Sequence, residues 1–151
     1  KINYKKLSKI NLHSEKISSH VATLATIKSV RNIIKIWQRK IVLKNTRILV
    51  EGRDSASVIL KKNPKFDIAF YFDCSLKKSA HRRYVDLKKK IPLKKVLQNL
   101  RIRRLKDRTR RYSALKKHKK AVLIRSDLLS KQRMILKMVK EIDKVIKKIK
   151  N

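Results

Sequence analysis

Arginine and aspartate side chains recur close to short apolar runs of the chain. Arg53 and Asp54 close the run RILVEGRD, and Arg82 and Arg83 follow the run IAFYFD within one short segment. Phosphoryl transfer consists mostly of positioning and charge neutralisation, so it needs several arginines on phosphate oxygens and a carboxylate that reads a base or a sugar. The sequence therefore predicts a site for a small nucleotide. The candidate side chains in these two segments are Arg53, Asp54, Arg82 and Arg83.

These side chains need strands and helices to position them. Residues 47–52, 68–73 and 121–125 are short runs of apolar, β-branched and aromatic residues, which is typical of strands buried on both faces. Apolar residues between the runs recur at helical spacing. Strands that alternate with helices predict a three-stranded parallel sheet with helices on its faces, an α/β fold.

The helices have recognisable starts. Residues 14–43 predict one helix, or two in series, capped by Ser14, with Trp37 in the core. Ser75 is expected to cap a helix that runs toward Lys90, and Pro92 to open the next. A last helix, residues 128–150, is expected to begin after Ser126 or Asp127 with a buried apolar stripe. That stripe contains Leu128, Ile135, Met138, Ile142, Val145 and Ile149.

The order of these motifs resembles the C-terminal two thirds of a bacterial-type cytidylate kinase. The motifs are VATLATIKSVRNIIKIWQR, EGRD, FDCSLKKSAHRR and the spacing of Arg103, Asp107 and Arg110. The resemblance implies a single domain over residues 1–151, with a basic segment at 1–13. It implies that remnants of a CMP pocket remain at Arg31, Arg53, Asp54, Arg82, Arg83, Arg103, Asp107 and Arg110. It also implies a P-loop-kinase-like sheet whose central strand, between 47–52 and 68–73, is missing here. A strand from outside residues 1–151, supplied by residues before Lys1 or by a separate polypeptide, is expected to fill that place. The alternative is that the two flanking segments pair directly.

Several positions depart from the family pattern. The chain has one glycine, Gly52, so residues 1–151 cannot form the glycine-rich loop that cradles donor phosphates in such kinases. Ala22, Ala56 and Arg104 stand where the family has serine, glycine and aspartate. These changes predict a catalytically inactive, repurposed copy that needs no cofactor. The alternative is a fragment or split subunit of an active CMP or dCMP kinase.

The charge predicts a polyanionic partner. The chain has 45 Lys and Arg against 10 Asp and Glu, a formal net charge of +35. Such an excess repels itself unless a polyanion supplies the countercharge. The predicted RNA-binding residues are Lys88, Lys89, Lys90, Lys94, Lys95, Arg101, Arg104, Arg108, Arg111, Lys116, Lys117, Lys119 and Lys120.

These features together predict a structural RNA-binding protein, with ribosomal RNA and neighbouring ribosomal proteins as partners. A mitochondrial ribosome is the expected location, and the cytoplasm of a bacterium or an endosymbiont is the alternative. No membrane partner is expected, because no apolar run approaches the length of a membrane span. The single cysteine, Cys74, and the four histidines show no metal-ligand spacing, so no metal is predicted.

Overall fold

A two-stranded parallel sheet with helices around it forms the centre of the α/β fold in the computed structural model, which describes residues 15–150. Strand β1 (Phe70–Asp73) pairs with β2 (Val122–Arg125), with Phe70 opposite Val122 and Asp73 opposite Arg125. Both strands come from runs rich in β-branched and aromatic residues, which suit a pleated and half-buried surface. The predicted strands at 68–73 and 121–125 are therefore confirmed in type and approximate position.

The helices account for most of the remaining described chain. They are α1 (Glu15–Leu24), α2 (Lys28–Leu43), α3 (Leu76–Asp86), α4 (Leu93–Thr109) and α5 (Lys131–Lys150), with a π-helical turn at Ser55–Ile59. Helices α3 and α4 form a helical hairpin that connects β1 to β2, since parallel strands need a long crossover.

The predicted strand at residues 47–52 does not form in the described part of the chain. Residues 48–50 have no ladder partner, and β1 pairs only with β2. Leu49 is 89% exposed, whereas a strand buried on both faces would cover it. A short apolar run becomes a strand only when a neighbouring strand accepts its hydrogen bonds. The two segments that were expected to flank a missing strand thus do not pair with each other, and the external strand stays a prediction.

Residues 15–43 contain two helices in series, as one of the two predicted alternatives has it, and Ser14 lies outside the described residues. The break follows α1, where the Thr26 hydroxyl donates to the carbonyl of Thr23 at 2.7 Å. Threonine hydroxyls compete with the helical backbone in this way. Trp37 on α2 is 55% exposed, so its predicted place in the core is wrong for the described residues.

The starts of α3 and α5 depend on competing side-chain caps. Ser75 Oγ accepts a hydrogen bond from the Lys78 amide at 3.4 Å, which confirms the predicted cap of α3. Asp127 Oδ2 accepts from the Ser75 amide at 3.1 Å and is therefore not available to begin α5. Ser130 Oγ accepts from the Arg133 amide at 3.3 Å instead, so α5 begins three residues later than predicted.

The apolar stripe of α5 is less buried than predicted. Leu128 is 68% exposed, Ile135 50% and Ile149 69%, while Met138, Ile142 and Val145 are half-buried. A sheet of two short strands offers little apolar surface to cover a helix of this length. Helix α5 is amphipathic, as the spacing indicates, but much of its apolar stripe is in contact with solvent in the described part of the chain.

The small core predicts where substitution is costly. Ile124 on β2 is fully buried, and Ala80 on α3 and Val96 on α4 are nearly so. We expect Ile124→Ala to lower the free energy of unfolding by about 2–4 kcal/mol, because it removes buried methyl groups and leaves a cavity. Leu128→Ala, at a site 68% exposed, is the control and should change it by about 0.5 kcal/mol or less. Denaturant midpoints of the two variants provide the measurement.

Candidate functional site

The first part of the site joins α2 to the turn that follows the EGRD motif. Arg31, in the first turn of α2, contacts the carboxylate of Asp54 in an ion pair, and the side chains are only 17% and 7% exposed. Arg39 reinforces the junction: its guanidinium donates to the carbonyls of Ile59 at 2.8 Å and Val58 at 3.0 Å. Asp54 is therefore held at the start of the π-helical turn with its charge compensated.

The second part of the site comes from one face of α4. Arg103 and Asp107 are four residues apart and Arg110 follows three residues later, so the helical spacing places all three on the same side. The Asp107 carboxylate contacts the guanidinium of Arg53, and its other oxygen lies 3.5 Å from Nη1 of Arg110. Asp107 thereby connects α4 to the EGRD motif.

The arginines of the two parts lie within electrostatic reach of one another. Burial lowers the pKa of Arg53 to about 10, with further contributions from the charges of Arg103 and Arg110. Burial and the charge of Arg110 lower the pKa of Arg31, and burial and the charge of Arg83 lower that of Arg103. Burial is the first cause of each lowered pKa, and the charge of a neighbouring arginine adds to it. We call Arg31, Arg53, Asp54, Arg83, Arg103, Asp107 and Arg110 the arginine cluster.

The arginine cluster carries more positive than negative charge. Without Arg83, four of its guanidinium groups face two carboxylates, which leaves an excess of two positive charges among those six side chains. An anion with several oxygens would relieve that repulsion, and arginine suits phosphate because its planar fork donates two parallel hydrogen bonds. Two buried polar atoms nearby, Nε of Arg31 and Oγ of Ser57, have no hydrogen-bond partner among the described residues. The cluster can therefore bind a phosphate-bearing ligand.

Arg82 is the one predicted pocket residue that the structure places elsewhere. Its guanidinium donates to the carbonyl of Ser126 at 2.7 Å and approaches Ser126 Oγ at 3.4 Å. Consecutive residues of a helix point about 100° apart, so Arg82 and Arg83 cannot both face the cluster. Arg82 instead ties α3 to the carboxyl end of β2.

Some of the side-chain contacts that hold the α3–α4 hairpin against the strands have no obvious signal in the sequence. Arg104 is half-buried and donates to the carbonyl of Cys74 at 3.0 Å. RNA binding by Arg104 stays a prediction. Arg104 and Arg82 together hold the α3–α4 hairpin against the ends of β1 and β2. Only the unusual replacement of an aspartate by Arg104 marked the position as special.

The other predicted RNA-binding side chains are exposed, including those of Lys88, Lys94, Arg101 and Arg108. Lys117 is partly engaged, since Nζ donates to the carbonyl of Ala121 at 3.4 Å, and Arg111 lies 5.5 Å from the ring of Tyr112. Among the described residues, no group of three His, Cys, Asp or Glu side chains could hold a metal ion. No helix in the same part of the chain is long and apolar enough to cross a membrane.

Comparison with known proteins connects this geometry to one family. The cytidylate kinase family model matches residues 2–144. Curated cytidylate kinases are 34% identical over 136 residues in Thermosipho melanesiensis, 31% over 137 in Fusobacterium nucleatum and 27% over 141 in Pediococcus pentosaceus. These alignments cover 86%, 89% and 91% of this chain but 61% of each relative, so the chain spans about three fifths of their length. The match extends through α2, the EGRD motif and the α3–α4 hairpin, and the chain belongs to the cytidylate kinase family.

Proposed function

We propose that this chain forms the acceptor side of a cytidylate kinase and binds CMP in the arginine cluster. The observation that carries the proposal is the convergence of Arg31, Arg53 and Arg110 on two carboxylates in the described structure. The charge of Arg103 also lies close enough to Arg53 to lower its pKa. Family membership supplies the substrate class, because the relatives that match are named cytidylate kinases. This is the alternative that the sequence left open, and the family relationship favours it over an inactive structural protein.

The members of the cluster have different parts in the proposed site. The Arg53 side chain is 39% exposed and is therefore more accessible than those of Arg31 and Arg110. It is placed to meet a phosphate that enters from solvent. The Arg110 side chain is 8% exposed and braced by Asp107, so it supplies a fixed charge deeper in the cluster. Asp54 is paired with Arg31, which reduces its repulsion of an anionic ligand. Preorganised charges of this kind cost little reorganisation when the ligand binds.

Phosphoryl transfer also needs a site for the donor phosphates. The 151 residues contain one glycine and therefore no glycine-rich loop whose backbone amides could cradle ATP. We expect the isolated chain to bind CMP but to transfer no phosphoryl group from ATP to CMP or dCMP. A coupled ADP-release assay measures this, and Arg53→Ala provides the background. Turnover above that background would show that a donor site exists in these residues.

Calorimetric titration of the purified chain tests the proposed binding. CMP should bind and cytidine should bind at least about tenfold more weakly, because charge-assisted hydrogen bonds to the phosphate are each worth about 1.5–3 kcal/mol. UMP and AMP distinguish recognition of the base from recognition of the phosphate alone. Equal affinities for CMP and cytidine, or no heat with CMP at millimolar concentration, would contradict the proposal.

The predicted ribosomal role and mitochondrial location have no support in the structure or the relatives. They stay predictions, and co-sedimentation of the chain with ribosomal subunits through high salt is the measurement that checks them. Loss of the chain from the subunits at moderate salt would count against a structural ribosomal protein.

A further inference from the structure

Helix α4 carries positive charge on two opposite faces. Arg103 and Arg110 belong to the arginine cluster, whereas Lys94, Arg101 and Arg108 are seven residues apart and so follow a second line along the helix. Seven residues are close to two turns, which keeps these three side chains on one face. All three are exposed. The second face therefore does not belong to the proposed CMP site.

The turn that connects α3 to the start of α4 adds three more lysines at this end of the helix. Lys88, Lys89 and Lys90 are all exposed, and Asp86 is the neighbouring carboxylate. Lys88 and Lys89 both adopt left-handed backbone conformations, with φ values of 52° and 59°. Their amides donate to Val85 at 2.8 Å and Tyr84 at 3.0 Å, which ends α3 as glycine commonly does. Two lysines thus occupy positions where glycine would be less strained.

We call Lys88, Lys89, Lys90, Lys94, Arg101 and Arg108 the hairpin stripe. None of its six side chains takes part in an ion pair within the described part of the chain. Along α4 itself the one acidic residue is Asp107, which faces the arginine cluster. The stripe therefore presents six cations to solvent with little opposing charge.

We propose that the hairpin stripe binds the phosphate backbone of RNA. From Lys94 to Arg108 the stripe is about 21 Å long, since each helical residue adds about 1.5 Å. A mononucleotide phosphate can neutralise only one point of such a line, whereas a nucleic-acid duplex presents roughly one charge per 1.7 Å along its axis. The stripe thus fits a polyanion and is separate from the proposed CMP site.

The composition of the face favours RNA over a membrane surface. Leu93, Ile102 and Leu105 are the large apolar side chains of α4 that are exposed, and three such side chains among the cations do not make the broad apolar face that inserts into a bilayer. Gln98 lies beside Lys94 and Arg101 on the helix and is exposed. Its amide can both donate to and accept from a 2′-hydroxyl, a group that distinguishes RNA from DNA.

Charge reversal tests the stripe against a matched control. Replacing Lys94, Arg101 and Arg108 together by glutamate should weaken binding of a 20-base-pair RNA duplex at least about tenfold and reduce the log–log salt slope by about 2 to 3. The control changes Lys140, Lys147 and Lys148 of α5 to glutamate, an equal charge change, and should weaken binding less than about threefold. Equal losses in both variants would overturn the proposal, because net charge alone would then explain binding. Equal affinity for an anionic vesicle, or for a DNA duplex of the same sequence, would overturn the choice of RNA.

A second variant separates binding from folding. Lys88→Gly combined with Lys89→Gly removes two cations of the stripe and places glycine at both left-handed positions. Unfolding free energy should stay the same or rise, while RNA affinity at moderate salt falls about tenfold, roughly threefold for each lost phosphate contact. RNA affinity equal to that of the wild type would overturn the proposal. CMP titration of the same variant should give the wild-type result, since the stripe and the arginine cluster share no residue.

Discussion

Arg53→Ala should weaken CMP binding by about 10-fold to 100-fold, the largest expected effect of a single substitution on ligand affinity. Hydrogen bonds to charged groups are worth about 1.5–3 kcal/mol, and each 1.4 kcal/mol is a tenfold change. Arg53 is suited to this test because 39% of its side chain is exposed, so its removal should leave the fold intact. Asp107 retains Arg110 as a partner in the variant. Calorimetric titration with CMP measures the change.

Two further variants sharpen this test. Arg53→Lys keeps the charge but loses the planar fork, so CMP binding should fall between the wild-type and alanine values. Arg101→Ala removes an arginine from the opposite face of the same helix that carries Asp107 and should leave CMP affinity unchanged. If Arg101→Ala weakens CMP binding as much as Arg53→Ala does, the ligand is held by overall positive charge and the arginine cluster is not its site.

The sequence predicted elements well where local physics alone decides them. The runs IAFYFD and AVLIR form β1 and β2, and Ser75 caps α3, because β-propensity and capping act over a few residues. The run RILVEG has the same local character but no strand partner among the described residues. Pairing depends on distant segments, so this difference could not be read from residues 47–52 themselves.

The family resemblance predicted the members of the arginine cluster. Arg103, Asp107 and Arg110 follow one helical face, and the structure brings that face to Arg53 of the EGRD motif. The different placements of the Arg82 and Arg83 side chains were not predicted, because they depend on the rotation of α3 relative to β2. The carbonyl of Ser126, which accepts from Arg82, is a backbone group without a sequence signature. Tertiary contacts of this kind account for most of the missed placements.

The two proposed functional surfaces also differ in where glycine occurs. The lone Gly52 stands next to Arg53, whereas Lys88 and Lys89 adopt left-handed conformations without glycine. The sequence shows three consecutive lysines, Lys88 to Lys90, but it does not indicate their backbone conformation. The left-handed backbone of Lys88 and Lys89 is therefore a structural observation that supports the proposed functional surface at the tip of the α3–α4 hairpin.

Asp54→Ala should lower the free energy of unfolding by about 3–5 kcal/mol, the largest stability effect that we expect. Asp54 is 5% exposed and is the ion-pair partner of Arg31, whose side chain is 17% exposed. Removing the carboxylate leaves a largely buried guanidinium without its countercharge, and breaking a buried pair from one side typically costs that much. The lowered pKa of Arg31, caused first by burial and then by the charge of Arg110, indicates that its cation is already disfavoured at this position. Denaturant unfolding of the purified variant measures the loss.

Removing both partners distinguishes this cause from a simple loss of contacts. Arg31→Met combined with Asp54→Leu replaces the pair by apolar side chains and should recover most of the stability lost in Asp54→Ala, since neither charge remains unpaired. In a double-mutant cycle with the single variants Arg31→Met and Asp54→Leu, the coupling should then be about 3 kcal/mol or more in favour of the intact pair. If Asp54→Ala costs less than about 1 kcal/mol, solvent already compensates Arg31 and the pair does not hold α2 against the EGRD motif. CMP binding should still be lost in the double variant, because a stable apolar junction cannot replace the guanidinium that Arg31 contributes to the cluster.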